Sequence, residues 1–133
     1  PLPRLEELNL QKNNINVLPE AIGQYTTLKK LFCNYNAIEA LPPSIKNLSQ
    51  LEQLTLYKNN VSSLPPEFYQ LKNLRGVDLY YNKLTKIEDG IGNLDKLEIL
   101  YLSFNELTAL PESIGQLSLL RELYLHHNRL SYL

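Results

Sequence analysis

Cysteine is almost absent: Cys33 stands alone, so no internal disulfide is possible and the redox compartment stays open. An excess of charge of one sign is absent too. Lys plus Arg number 13 against 14 Asp plus Glu, and a chain so balanced carries no broad field that would draw it to nucleic acid or to an anionic membrane. No apolar run approaches the roughly 18 residues of a membrane span, so no segment supports membrane insertion. The opening PLPRLEEL lacks the charged and apolar blocks of a signal peptide. None of the short catalytic signatures occurs, neither GxxxxGKS/T, GxSxG and HExxH nor paired cysteines. His126 and His127 are the only histidines. No further ligands cluster near them, and consecutive strand residues are expected on opposite faces, so no metal or cofactor is expected. With no agent for catalysis, the chain reads as a non-enzyme, and cytoplasmic residence is the default location.

What is present is a period. Leu5, Leu28, Leu51, Leu74, Leu97 and Leu120 open successive copies 23 residues apart with no insertion or deletion, and a fixed period in this range is the signature of a stacked solenoid. Each copy has seven apolar columns, in the fifth Leu97, Leu100, Leu102, Leu107, Leu110, Ile114 and Leu117, with Tyr25, Cys33 and Phe68 as unusual occupants elsewhere. These columns are core, since each fully buried large side chain contributes roughly 1.5 to 3 kcal/mol. Leu100 and Leu102 alternate with Ile99 and Tyr101, the period of a strand buried on one face. Copies running in one direction make a parallel sheet, and six strands about 4.8 Å apart form a strip on the order of 25 Å wide.

The copies read LxxLxLxxNxLxxLPxxIxxLxx, which resembles the leucine-rich repeat family in its 23-residue LPxxIGxL subtype. The resemblance implies an α/β-type solenoid of about six repeats. It would be a right-handed coil with a curved parallel β-sheet on the concave side and extended or 3₁₀ segments on the convex side. It also implies a module that mostly binds other proteins. Leu-Pro pairs at 18–19, 41–42, 64–65 and 110–111 suit that outer arc, because proline fixes φ and removes an amide donor. Ile87-Glu88-Asp89-Gly90 lacks the proline, so a looser or differently wound arc is expected there. Solenoids need polar end caps, and the sequence shows none. Residues 1–133 are therefore expected to be one repeat domain, Leu2 lying in the tail of an earlier copy and Leu133 partway through a sixth, within a longer solenoid. The alternative is a complete chain whose raw ends pair with another copy.

Asn13, Asn36, Asn59, Asn82, Asn105 and Asn128 form an unbroken column where the chain turns inward after each strand. A carboxamide both donates and accepts, so the column reads as a structural ladder for buried backbone groups. Cys33 sits in a leucine column and reads as a small hydrophobe with a raised pKa. Glu6, Lys29, Glu52, Arg75, Glu98 and Arg121 alternate in sign along one column and are expected to satisfy one another across strands.

The functional signal is aromatic. Counting each opening leucine as position one, positions five, seven and eight of the six copies hold Phe32, Tyr35, Tyr57, Tyr80, Tyr81, Tyr101, Phe104 and Tyr124. That is eight of eighteen places, against an aromatic fraction of 9% in the whole chain. Exposed rings with a hydroxyl serve as interface anchors, so a face for a protein or peptide partner is expected, centred on Tyr57, Tyr80, Tyr81, Tyr101 and Phe104. Stacking of the rings on one another without any ligand is the structural alternative. Two other functions compete: a stacking platform for carbohydrate, and repeats that present substrate to a catalytic domain elsewhere in a larger protein.

Overall fold

A computed structural model describes residues 2–132; the expectations that rest on Pro1 and Leu133 lie outside the described residues. Six three-residue strands, β1 (Glu7–Asn9), β2 (Lys30–Phe32), β3 (Gln53–Thr55), β4 (Gly76–Asp78), β5 (Ile99–Tyr101) and β6 (Glu122–Tyr124), form one sheet in chain order. All five pairings are parallel, and Leu8, Leu31, Leu54, Val77, Leu100 and Leu123 stand in register across the sheet. Residues 23 apart in sequence are therefore strand neighbours in space. Leu28, Leu31, Leu51, Leu54, Leu74 and Leu97 are fully buried, whereas their counterparts Leu5, Leu8, Leu120 and Leu123 are only partly so. A solenoid repeat buries its apolar face against the repeats on either side, which accounts for the difference between inner and outer copies.

The return path is a 3₁₀ turn in each of five repeats: Glu20–Gln24, Pro43–Asn47, Pro66–Gln70, Asp89–Asn93 and Glu112–Gln116. Pro19, Pro42, Pro65 and Pro111 hold the residue before each turn near φ −70° and ψ 150°. The arc at Ile87–Gly90 keeps its winding, but it packs more loosely on the turn before it, the two flanking an open cleft of about 530 Å³ lined by Leu64, Tyr69, Glu88 and Gly90. Glu88 adopts φ −80° and ψ 163° and its turn has the same five-residue length as the others. The reason lies in the preceding repeat, where the Tyr69 hydroxyl accepts the Glu88 N–H at 3.0 Å. Proline would have removed that donor; here it is satisfied instead. Gly90 leaves the space the Tyr69 ring occupies, since a Cβ there would lie 2.8 Å from Tyr69 Cγ.

The asparagine column closes the inner turn. Asn82 Nδ2 donates to the carbonyls of Leu56 (2.8 Å) and Leu79 (3.1 Å), and its Oδ1 accepts the Val61 N–H at 3.0 Å. Asn36, Asn59, Asn105 and Asn128 repeat this two-repeat clasp. Asn13, with no described repeat before it, keeps only contacts to its own repeat from Nδ2.

The residue before each asparagine is the fold's irregular position. Lys12, Tyr35, Lys58, Tyr81, Phe104 and His127 all have φ between 56° and 59°, the left-handed region that side chains rarely enter. The sheet ladder continues through this position: the N–H of Tyr35, Lys58, Tyr81 and Phe104 donates to the carbonyl of Tyr57, Tyr80, Ser103 and His126 in the next repeat, at 2.8 to 3.1 Å. Those bonds and the asparagine clasp over-determine the backbone and hold it in a conformation no glycine is there to ease.

Candidate functional site

Because position eight is left-handed, its side chain does not continue the strand alternation, and it comes beside position seven. Two rows of rings result. In the first, Tyr57 and Tyr80 stack at 5.4 Å between centroids and 15° between planes. In the second, Tyr81, Phe104 and His127 stack in series at 4.2 and 4.0 Å, within 11° of parallel. The rows meet edge to face, Tyr57 on Tyr81 at 6.0 Å and Tyr80 on Tyr81 at 5.1 Å, and Tyr35 extends the array against Tyr57 at 5.3 Å. These are the offset and T-shaped geometries that a ring quadrupole favours, each contributing about 0.5 to 1.5 kcal/mol beyond the area it covers. Lys12 and Lys58 place their ammonium groups 5.9 and 5.1 Å from the Tyr35 and Tyr81 centroids.

Three placements differ from expectation. Tyr101 is not part of the central array; it stacks on Tyr124 at 4.6 Å, and both hydroxyls donate to Glu122 Oε1 at 3.3 Å. Among the described residues that pair reaches the array through Tyr124 and His126, 6.3 Å apart. Phe32 is half-buried in β2 and stacks on no ring among the described residues. His126 and His127 do not point to opposite faces: their rings lie 5.4 Å apart and both touch Phe104. The alternation rule fails because β6 ends at Tyr124 and His127 is left-handed. His126 instead bridges Ser103 Oγ (2.8 Å) and the Tyr80 hydroxyl (3.4 Å).

Tyr35, Tyr81 and Tyr124 remain 45%, 38% and 43% exposed, so stacking leaves much of each ring in water. Desolvation, followed by Tyr35, pushes the Tyr57 phenol above its ordinary pKa, and desolvation followed by Glu122 does the same at Tyr101. Both stay neutral hydroxyls near neutral pH, suited to hydrogen bonding. Cys33, fully buried, has its thiol pushed up to about 12 by burial, and no cluster of three His, Cys, Asp or Glu side chains arises among the described residues. The alternating charge column closes in part: Lys29 pairs with Glu6 at 4.0 Å, and Glu98 bridges Arg75 (3.8 Å) and Arg121 (3.5 Å). Glu52 enters no ion pair among the described residues. Such exposed pairs are worth about 0 to 1 kcal/mol each.

Six parallel strands in one sheet, each followed by a return arc and in register at every 23 residues, define a solenoid of stacked repeats. The chain belongs to the leucine-rich repeat family: the family described as leucine-rich repeat region matches residues 21–130, and the single leucine-rich repeat matches residues 4–25. No curated protein matches it. Among solved structures it is similar to the leucine-rich repeat ectodomain of the plant membrane receptor kinase GASSHO1/SCHENGEN3 from Arabidopsis thaliana, solved in complex with CASPARIAN STRIP INTEGRITY FACTOR 2. The TM-score is 0.86 at 38% identity, over 93% of this chain and 16% of that one. An internalin, inlF, from Listeria monocytogenes shares the fold with a TM-score of 0.84 at 22% identity, over 93% and 35% of the two chains. A leucine-rich repeat protein of Leptospira interrogans aligns with a TM-score of 0.55 at 30% identity, over 97% and 45%. The chain thus spans less than half the length of each.

Proposed function

We propose that the chain recognises a protein or peptide, without turnover, through the aromatic array of Tyr35, Tyr57, Tyr80, Tyr81 and Phe104, with Phe32, Tyr101 and Tyr124 on its flank. The observation that carries this reading is the mutual locking of the rings. Seven ring contacts join Tyr35, Tyr57, Tyr80, Tyr81, Phe104 and His127 into one piece, so little rotamer freedom is left to lose when a partner docks. Amphipathic rings held in this way are efficient anchors. The plant receptor ectodomain, solved in complex with CASPARIAN STRIP INTEGRITY FACTOR 2, supports a binding role for a chain of this fold.

Carbohydrate is the weaker fit. Tyr81, Phe104 and His127 turn their faces toward one another at 4.0 to 4.2 Å, which leaves edges and hydroxyls for a ligand rather than the open ring faces that a sugar stacks on. The test is the variant Tyr57→Ala/Tyr80→Ala/Tyr81→Ala, checked for an unchanged cooperative melt and titrated with a partner purified by affinity capture on the wild-type chain. Binding is expected to weaken by about 100-fold, since anchors of this kind cost more than about 1 kcal/mol each when truncated. Undiminished binding by a folded variant would move the site off this face, and selective retention on a glycan array would favour carbohydrate.

A further inference from the structure

Position three of the repeats holds Glu7, Lys30, Gln53, Gly76, Ile99 and Glu122, so five copies send a side chain out over the sheet and one sends none. Gly76 begins β4, in register with Gln53 on one side and Ile99 on the other. Nothing in the backbone demands glycine there. No glycine has positive φ, and a Cβ on Gly76 would meet only Gln53 Cγ, at an ordinary 3.9 Å. Glycine weakens a strand interior, yet here the space it frees is not used by any neighbour. It stays open as a notch of about 150 Å³ walled by Gln53, Thr55, Asp78, Ile99 and Tyr101, room for about five waters at roughly 30 Å³ each.

The chemistry of the notch is one-sided. Asp78 enters no ion pair among the described residues. Its Oδ1 accepts the Tyr80 N–H at 3.0 Å, and no hydrogen bond to Oδ2 is present among the described residues. Thr55, its partner across β3 and β4, carries a buried hydroxyl with no hydrogen-bond partner. Arg75, the nearest basic residue in sequence, is engaged with Glu98. Beside the carboxylate stand the apolar Ile99 and the ring of Tyr101, which suit an aliphatic stem and a cation near an aromatic face.

We propose that this notch is a subsite for one basic side chain, lysine or arginine, of an extended peptide lying on the strand face. The inference rests on the reading of that face as a peptide-binding surface. An ammonium or guanidinium group supplies the charge that Asp78 lacks, an uncharged side chain would leave the carboxylate half-buried and unpaired, and an acidic one would be repelled. Burial raises the Asp78 pKa, partly offset by its bond from Tyr80, and a bound cation would draw it back down.

The test is an NMR titration of the whole chain with two blocked pentapeptides, Ac-Ser-Thr-Lys-Thr-Ser-NH2 and the same peptide with norleucine for lysine. The lysine peptide is expected to shift the amides of Gly76, Asp78 and Ile99 and to bind roughly tenfold more tightly, the ratio of one charge-assisted contact. Asp78→Asn, which keeps the acceptor for Tyr80 N–H, should abolish the preference. Gly76→Gln, copying Gln53, should melt no lower than wild type and fill the notch. Equal binding of the two peptides, or undiminished lysine binding by Gly76→Gln, overturns the proposal. Shifts along Tyr57, Tyr80 and Tyr81 with no lysine preference would leave the aromatic reading standing while this one fails. Shifts nowhere on the strand face, with partner capture unaffected by the triple tyrosine variant, would remove both.

Discussion

Replacing Asn82 with alanine tests the clasp that joins one repeat to the next. Asn82 is buried and makes three close bonds, two from Nδ2 to carbonyls and one at Oδ1 from Val61 N–H. The carbonyls do not become orphans, because Asn59 also donates to Leu56 O at 3.1 Å and Asn105 also donates to Leu79 O at 2.9 Å. Each lost donor bond to an acceptor that keeps a partner costs about 0.5 to 1.5 kcal/mol, and the stranded Val61 N–H costs about 1 to 3 kcal/mol. The expected loss is therefore about 2 to 6 kcal/mol. Asn13→Ala is the control: its side chain is exposed, Leu10 O keeps the Asn36 donor at 3.0 Å, and its Oδ1 accepts no bond among the described residues, so the cost should stay below about 1 kcal/mol. Urea unfolding of both variants, read at unchanged m, measures the gap. Equal losses would refute the claim that the ladder stabilises through burial and through its span across two repeats.

Three further outcomes follow from named contacts. Glu88→Pro should destabilise the wild type by up to about 1 kcal/mol, because it removes the Tyr69 bond, yet stabilise a Tyr69→Phe background by about 0.4 to 1 kcal/mol through loss of unfolded-chain entropy; a double-mutant cycle by chemical denaturation checks the change of sign. Gly90→Ala drives a Cβ to 2.8 Å from Tyr69 Cγ while Gly115→Ala meets nothing within 4 Å, so melting should fall for the first, at a cost of about 1 to 3 kcal/mol, and hold or rise for the second. Burial raises the Asp78 pKa, so the folded chain keeps that proton to a higher pH than the unfolded chain, and stability falls as pH climbs from the ordinary carboxylate value of about 3.9 through the raised one. Asp78→Asn should lose that fall and be the more stable form at neutral pH, as parallel denaturation curves across acid and neutral pH will show.

Much of the architecture was legible because the repeats carry no insertion. A column 23 residues apart in the sequence is a column of touching side chains in space, so the leucine core, the parallel register, the asparagine clasp and the stacking of Tyr57 on Tyr80 could all be read vertically. Relations between columns could not. No glycine marks position eight, where Tyr81 and Phe104 turn left-handed, so strand alternation set His126 and His127 on opposite faces although their rings lie together, and nothing in the columns says that Tyr101 stacks on Tyr124. Tyr69, Gly90 and Glu88 each look like an isolated departure from the repeat, and only their contact explains why the arc without proline keeps its winding.

An unbroken period leaves one register in which every apolar column is buried, so the order of residues along the chain already states which side chains stack over which. Which columns lie side by side, and where the surface stays open at Gly76, emerges with the folded backbone. The reason is that lateral placement follows from backbone torsions at the end of each strand, and those torsions are held by hydrogen bonds from the neighbouring repeats.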